Sequence, residues 1–433
     1  MRVHFLKVAA IVAFLSCLQF LTARADETND LLKTANARIE AIRKAPVQIT
    51  VVDAKGNPVA GAVVRVEQQR HAFLFGCSIY PMLNYQGTQR DQFSAEFSAL
   101  FNYATLPFYW GSYEPQEGNT HGLREKDQQL AAWCRARNIE MVGHPLVWHS
   151  VYPKWGPSDP DTTSNLMRER LPSIIADFKP DIHRWVVMNE ATSSAHATNG
   201  IGHWVKRDGA AKVIETSLDW THEADPNAQL IYNDFDLKPD HFKLIQQLVQ
   251  DNAPFQIIGI QSHLHRKEWP MNQVWDICER YAKFGKEINF TEVTVVSGKH
   301  GWHLPPPWPT TPEGEQRQAD YVEQFYTLLF SHPAVQAITW WDFEDYGWQG
   351  APGGLVHADL TPKPAYDRLM KLIHQTWWTR ETLTSDTKGI CSFRGFLGDY
   401  QVAVQGGGIT NTIACTLSKG TNDWVITLNS KMR

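Results

Sequence analysis

Eight short apolar runs recur along this chain, and most are followed by a polar loop and a helical stretch. The runs are FLFGCSI (73–79), FNYATL (101–106), EMVGHPLVWH (140–149), RWVVMNE (184–190), LIYNDF (230–235), IIGIQSH (257–263), INFTEV (288–293) and AITWWDF (337–343). Between them lie segments with helical periodicity, among them 123–137, 209–224, 241–251 and 314–330. Continuous rather than alternating apolar runs are what parallel strands covered on both faces require. Eight strand–helix units predict a closed (β/α)8 TIM barrel of the α/β class over residues 71–375. An open doubly wound sheet is the rival, disfavoured because no Gly-rich phosphate loop follows the first run.

The flanks read differently. Arg2 and Lys7, the apolar stretch from Val8 to Leu21, and Ala23-Arg24-Ala25 have the layout of an export signal over residues 1–25. An uncleaved membrane anchor is the alternative, though the stretch is short for a span. The expected location is therefore secreted or periplasmic, with no membrane attachment after the signal is removed. Residues 28–44 have an amphipathic pattern, and PVQITVVDAKGNPVAGAVVRVEQ alternates around a Gly-Asn-Pro turn, so 26–70 reads as a helix and a β-hairpin. Residues 376–433 return to short β runs (CSFRGF, DYQVAVQ, NTIACTLS, DWVITLN) divided by Gly-rich turns. The first and last strands of a closed barrel are neighbours. The two flanks are thus expected to build one small appended β-sandwich, each being too small to hold a core alone.

A net charge of −5 over 433 residues leaves no electrostatic footprint for nucleic acid. The cysteines after the signal (Cys77, Cys134, Cys278, Cys391, Cys415) are odd in number and show no CxxC, which excludes a disulfide framework and a zinc ribbon. Cys391 and Cys415 remain open to pairing or to burial as small hydrophobes. Tryptophan, at 17 residues, is the outlier, and several lie in the loops after the strands.

Those strand ends carry the chemistry. The third contributes His144, Trp148 and His149, the fourth Asn189 and Glu190, the fifth Asn233 and Asp234. The sixth adds Gln261, Ser262 and His263, the seventh Glu292, the eighth Trp340, Trp341, Asp342, Glu344 and Trp348. Catalytic groups of barrel enzymes sit at the C-terminal ends of the strands. Two glutamates there, Glu190 and Glu292, suit the acid and the nucleophile of a glycosidase. Amides and imidazoles suit sugar hydroxyls, and indoles suit pyranose faces. The histidines are open to a metal-ligand reading, but no HExxH or Cys/His spacing accompanies them, so neither metal nor cofactor is expected.

In GHPLVWH, VVMNEA, YNDFD, IIGIQSH, NFTEV and the closing KPAYDRL (363–369), segment 71–373 resembles glycoside hydrolase family 10, the retaining endo-β-1,4-xylanases on a (β/α)8 barrel. The resemblance implies Glu190 as general acid/base and Glu292 as nucleophile. It also implies Asn189 on the 2-hydroxyl of the cleaved sugar, His144 on the same sugar, His263 orienting Glu292, and Trp340 and Trp348 as aromatic walls. Trp148, His149 and Gln261 join them as expected substrate contacts. The partner would be xylan or a related β-glycan, met by a monomer. The chain departs from the family where Glu-Asn and Lys-Trp pairs are expected after strand two, having Thr105-Leu106-Pro107-Phe108-Tyr109-Trp110, and where Ser-Gln is expected it has Ser150-Val151. This favours a decorated or non-xylan β-glycan as a second reading. A catalytically silent carbohydrate-binding protein is the third.

Overall fold

A computed structural model describes residues 30–429 except His121 and His303. The expected export signal lies outside the described residues. A helix over 30–43 leads into β1 (Lys44–Asp53) and β2 (Val63–His71). The barrel strands follow as β3 (Leu74–Ser78), β4 (Tyr103–Pro107), β5 (Glu140–His144), β6 (Arg184–Asn189), β7 (Gln229–Asp234), β8 (Ile257–Ile260), β9 (Glu287–Val293) and β10 (Val335–Trp340). They close in the order β10-β3-β4-β5-β6-β7-β8-β9, every pairing parallel. The eight apolar runs are therefore the eight staves, as their hydrophobic continuity requires.

Side-chain parity divides the barrel into an inside and an outside. Leu74, Tyr103, Val142, Val186, Ile231, Ile257 and Ala337 form one inward layer that plugs its N-terminal end. The opposite faces pack against the helical ring in the main core, where Phe75, Cys77, Leu106, Val187, Tyr232, Ile258 and Ile338 are buried. The interior above the plug is left for polar groups.

Three strands break this parity: β10 gains a residue against β9 between Val335 and Ala337, near its start, and β6 and β9 each gain one close to the acids. Between Val186 and Met188 β6 gains a residue against β7, and between Phe290 and Val293 β9 gains one against β10. A β-bulge re-aims the side chains beyond it. These two bulges immediately precede Glu190 and include Glu292.

Strands β11 (Arg380–Thr384), β12 (Ile390–Phe396), β13 (Gly398–Gly406), β14 (Ile409–Leu417) and β15 (Asn422–Leu428) complete a sandwich of two sheets, β12-β1-β15 and β11-β2-β13-β14. The expected hairpin is not formed: β1 and β2 lie in opposite sheets. The Asp53 turn closes only on Asn57–Val59 (Asp53 N–H to Asn57 O, 2.8 Å; Val59 N–H to Val51 O, 2.9 Å). The chain then crosses over, because each strand finds two partners from the C-terminal segment. The inward residues Val47, Ile49 and Val51 face Val64, Val66, Val402 and Val404 in a shared core. Cys391 and Cys415 are both free thiols.

One buried ion pair locks the barrel's closing loop. Lys363, the first residue of KPAYDRL, is fully buried, and its ammonium donates to Asp345 Oδ1 (2.9 Å), Ser297 Oγ (2.8 Å) and Gly354 O (2.9 Å). All three donor positions are thus satisfied by groups from the loops after β9 and β10. Removing one member of such a pair strands the other charge, so Lys363→Met is expected to cost about 3–5 kcal/mol. Urea unfolding of the variant checks this; a loss below about 0.5 kcal/mol, the scale of an ordinary surface substitution, would make the pair a bystander.

Candidate active site

The C-terminal mouth of the barrel opens into a cleft of about 940 Å³, lined by Glu190, Glu292 and groups from six other strand ends or the loops that follow them. Glu190 stands one residue past β6 in a left-handed conformation (φ 54°, ψ 44°). A side chain other than Gly in that region costs about 1–3 kcal/mol and persists only where its surroundings over-determine it. They do so here. Its N–H donates to Asn233 O (2.9 Å), while the hydroxyls of Ser193 and Ser194 donate to its carbonyl (3.2 and 2.9 Å). Thr192 is held by Asp234 through its N–H (3.1 Å) and hydroxyl (2.9 Å).

The two carboxyls are furnished differently. Glu190 accepts from Gln261 Nε2 at Oε1 (2.9 Å) and from the Trp148 indole at Oε2 (3.0 Å). Burial pushes it up to about 7; the Gln261 bond opposes the rise, nearby Glu292 adds to it, and the Trp148 bond opposes it. Glu292 accepts from Asn233 Nδ2 at Oε1 (2.7 Å) and sits 3.0 Å from His263 Nε2 through Oε2. His144 Nε2 lies 3.7 Å from Oε1. Burial raises Glu292 as well, while His144 and the Asn233 bond pull it back.

Burial lowers His263 to about 3 and His144 to about 4, so both rings are neutral at neutral pH. A neutral His263 beside a carboxylate donates from Nε2. Its Nδ1 then accepts the Thr294 hydroxyl, 2.9 Å away, which fixes the tautomer.

A chain of amides joins the two acids. Asn233 Nδ2 donates to Asn189 Oδ1 (2.7 Å) as well as to Glu292, and its own Oδ1 accepts the Thr291 hydroxyl (2.6 Å). With its carbonyl so engaged, Asn189 offers its Nδ2, which donates a long bond to Glu190 Oε1 (3.5 Å). Asn233 stood in the sequence as a strand end without a role. Its signal was Gly259 in IIGIQSH: a Cβ there would come within 2.4 Å of Asn233 Oδ1, so this stave must carry glycine for the amide to fit.

Of the expected site residues, Glu190, Glu292, His144, Trp148, Asn189, Gln261, His263 and Trp348 all line the cleft. Two do not. Trp340 is fully buried, donating to Gly353 O (2.9 Å) in the layer between barrel and helices, and Trp341 takes its place as the wall. Parity explains the exchange: Ala337 faces inward, so 339 and 341 do too, and 340 faces out. His149 is turned away as well; its Nδ1 lies 2.9 Å from Ser194 Oγ, and its carbonyl accepts from Asn199 Nδ2 (2.6 Å). It braces the Glu190 turn from behind.

The altered stretch after β4 is also only partly in the site. Thr105, Leu106 and Phe108 are buried and do not line the cleft, whereas Tyr109 and Val151 do. Tyr80, unremarked in the sequence, packs edge-on to both Tyr109 and Trp341 (5.7 Å each), and Tyr109 packs against Trp148 (5.5 Å). His263 stacks on Trp348 (4.4 Å, 6°). Among the described residues, exposed large hydrophobic side chains are few, and three of them, Val151, Phe235 and Trp302, lie in this cleft. Such clustering marks a binding surface rather than scattered apolar exposure.

The sequence profile of glycosyl hydrolase family 10 matches residues 67–372. This chain belongs to that family. Similar proteins include endo-1,4-beta-xylanase B of Thermotoga neapolitana, 28% identical over 61% of this chain and 78% of its own length. Endo-1,4-beta-xylanase 1 of Arabidopsis thaliana is 26% identical over 86% of this chain. Anti-sigma-I factor RsgI6 of Acetivibrio thermocellus is 29% identical, also over 86%. The chain spans 38% and 46% of the last two proteins. Among solved structures, the family 10 protein of Paenibacillus barcinonensis aligns with a TM-score of 0.60 over 70% of this chain and 96% of its own, at 24% identity. Xylanase 10B of Thermotoga petrophila, solved with xylobiose, aligns at 0.59 over 70% and 95%, also at 24%. These likenesses show the family 10 barrel; the family profile ends before sandwich strands β11 to β15.

Proposed function

We propose that this chain is an exported, retaining β-glycanase that cleaves β-1,4-xylan or a related heteroxylan by double displacement. The observation that carries the reading is the unequal pair of carboxyls facing one cleft, Glu292 buried and Glu190 half-buried. Glu190, raised to about 7, holds a proton across the mildly acidic to neutral range. Glu292 has donors on both oxygens suited to holding a carboxylate. The similarity to endo-1,4-beta-xylanases supports the substrate class.

In the first step the Glu190 proton moves to the glycosidic oxygen as that bond breaks, and a Glu292 oxygen bonds to the anomeric carbon. In the second, Glu190, now a base, takes a proton from water. The water oxygen displaces Glu292 and returns the sugar with its original configuration. The Asn189 Nδ2, held only by its long bond to Glu190, supports a role in holding the 2-hydroxyl, a bond that strengthens as positive charge develops at the neighbouring carbon. A purely binding protein would have no use for two carboxyls held together at desolvation cost. Proton NMR of the first products from a β-linked oligosaccharide tests the reading: β-anomers appear first if it holds, α-anomers if it fails.

A second reading keeps this chemistry and changes the sugar, and Tyr80, Tyr109 and Val151 favour it. They present ring faces and a methyl surface where family members offer carboxylate, amide and ammonium groups. Losing three or four hydrogen bonds of about 0.5–1.5 kcal/mol each weakens an unsubstituted sugar on the order of thirty- to a thousand-fold. We therefore expect kcat/KM on linear xylotetraose to fall short, by that order, of a family member carrying the Glu-Asn and Lys-Trp pairs. Substituted or non-xylan oligosaccharides should be cut better. Efficient cleavage of the linear substrate, matched by no other, would contradict this.

A further inference from the structure

The cleft has one cationic corner that the proposed reaction does not use. Four carboxyls line the cleft, namely Glu190, Glu292, Asp342 and Glu344; of its three histidines, His144, His263 and His265, burial keeps the first two neutral. Among the lining residues Arg266 is the one lysine or arginine. Its guanidinium lies 4.7 Å from the ring centroid of Trp302, itself 45% exposed at the cleft edge. No carboxylate pairs with Arg266 among the described residues. Glu268, two positions along, is taken by Arg317 (3.1 Å) and His300 (3.3 Å).

Stacking on an indole orients a guanidinium while leaving its N–H edge free to bind an anion in bidentate fashion. The location is close to the chemistry. A continuous series of rings runs from His263, beside Glu292, to Trp348 (4.4 Å) and on to Trp302 (6.0 Å). Trp302 also packs against His265 (4.8 Å), which sets its orientation. A substituent on a sugar at or beside the scissile bond can reach Arg266 from there. An anion elsewhere in the cleft would face the carboxyls instead.

Building on the β-glycanase reading, we infer that Arg266, seated on Trp302, is a specificity-determining site for an anionic substituent of the polysaccharide, a carboxylate or sulfate carried on or beside the sugar being cleaved. The site thus adds charge selection to the cleft, and the selection is local to one edge.

The test measures kcat/KM on three oligosaccharides of one backbone and length: neutral, carrying a single glucuronic acid branch, and carrying a single sulfate ester. The wild type should favour at least one charged substrate over the neutral one by about tenfold, the scale of one charge-assisted contact. Raised salt should erode that preference. In Arg266→Gln the charged-to-neutral ratio should fall to near one, whatever happens to the neutral rate, and Arg266→Lys should restore part of it. Trp302→Ala should lower the ratio too, by releasing the guanidinium. Which charged substrate responds identifies the anion. A wild type without preference, or a ratio unchanged in Arg266→Gln, overturns the inference while leaving the β-glycanase reading intact. Failure of the wild type to cut all three substrates and every other β-glycan overturns that reading, and this inference with it.

Discussion

Glu292→Ala is expected to lose on the order of 10⁴-fold or more in kcat on every glycoside while remaining folded, since it removes the carboxylate that bonds to the anomeric carbon. Asn233 and His263 would keep their outer partners, Thr291 and Thr294, so the amide chain and the His263 tautomer should survive. Azide fits the space vacated by the carboxylate. With an activated aryl glycoside it should restore turnover and give a glycosyl azide of inverted configuration. Activity near that of the wild type, or an azide product of retained configuration, would place the nucleophile elsewhere.

Glu190→Gln is expected to separate leaving groups. A natural sugar leaving group needs the proton, so its cleavage should drop about 10²- to 10⁴-fold. An activated aryl glycoside needs none in the first step and should form its glycosyl-enzyme at close to the normal rate. Deglycosylation without the base would then lag and produce a burst. The pH profile gives the sign. Raised to about 7, Glu190 carries its proton below that pH and loses it above, so kcat/KM of the wild type should fall as pH rises through about 7. Glu190→Gln should lack that basic limb. Equal loss for both leaving groups, with the limb retained, would reduce Glu190 to a structural role.

The barrel was legible in the sequence because each stave is a continuous apolar run, and with it the gathering of most strand-end residues around one cleft. Parity within a stave was less legible. Trp340 and Trp341 are adjacent, equally aromatic and opposite in face; counting from the inward Ala337 assigns them, but only once the plug layer is known. The bulges in β6 and β9 were hidden, because an inserted residue in a buried strand leaves the hydrophobic pattern unchanged while reversing the face of whatever follows.

The missed hairpin has a related cause. Alternation and a turn signal describe β1 and β2 equally well whether they pair with each other or face each other across a core. The choice between those was made by strands some 330 residues away in the chain. His149 misled for the opposite reason: a polar side chain at a stave's end is as useful behind the site, bonding Ser194, as within it.

The account rests on Glu292 forming a bond to sugar, and covalent trapping tests that most directly. A 2-deoxy-2-fluoro β-glycoside with a good leaving group slows both steps but slows release more, so the glycosyl-enzyme accumulates. Peptide mapping by mass spectrometry should find one sugar per chain, attached to the peptide that contains INFTEV, with fragmentation placing it on Glu292. A stoichiometric adduct on Glu190 or any other residue, or full turnover of the reagent with no adduct, would contradict the mechanism derived from this cleft.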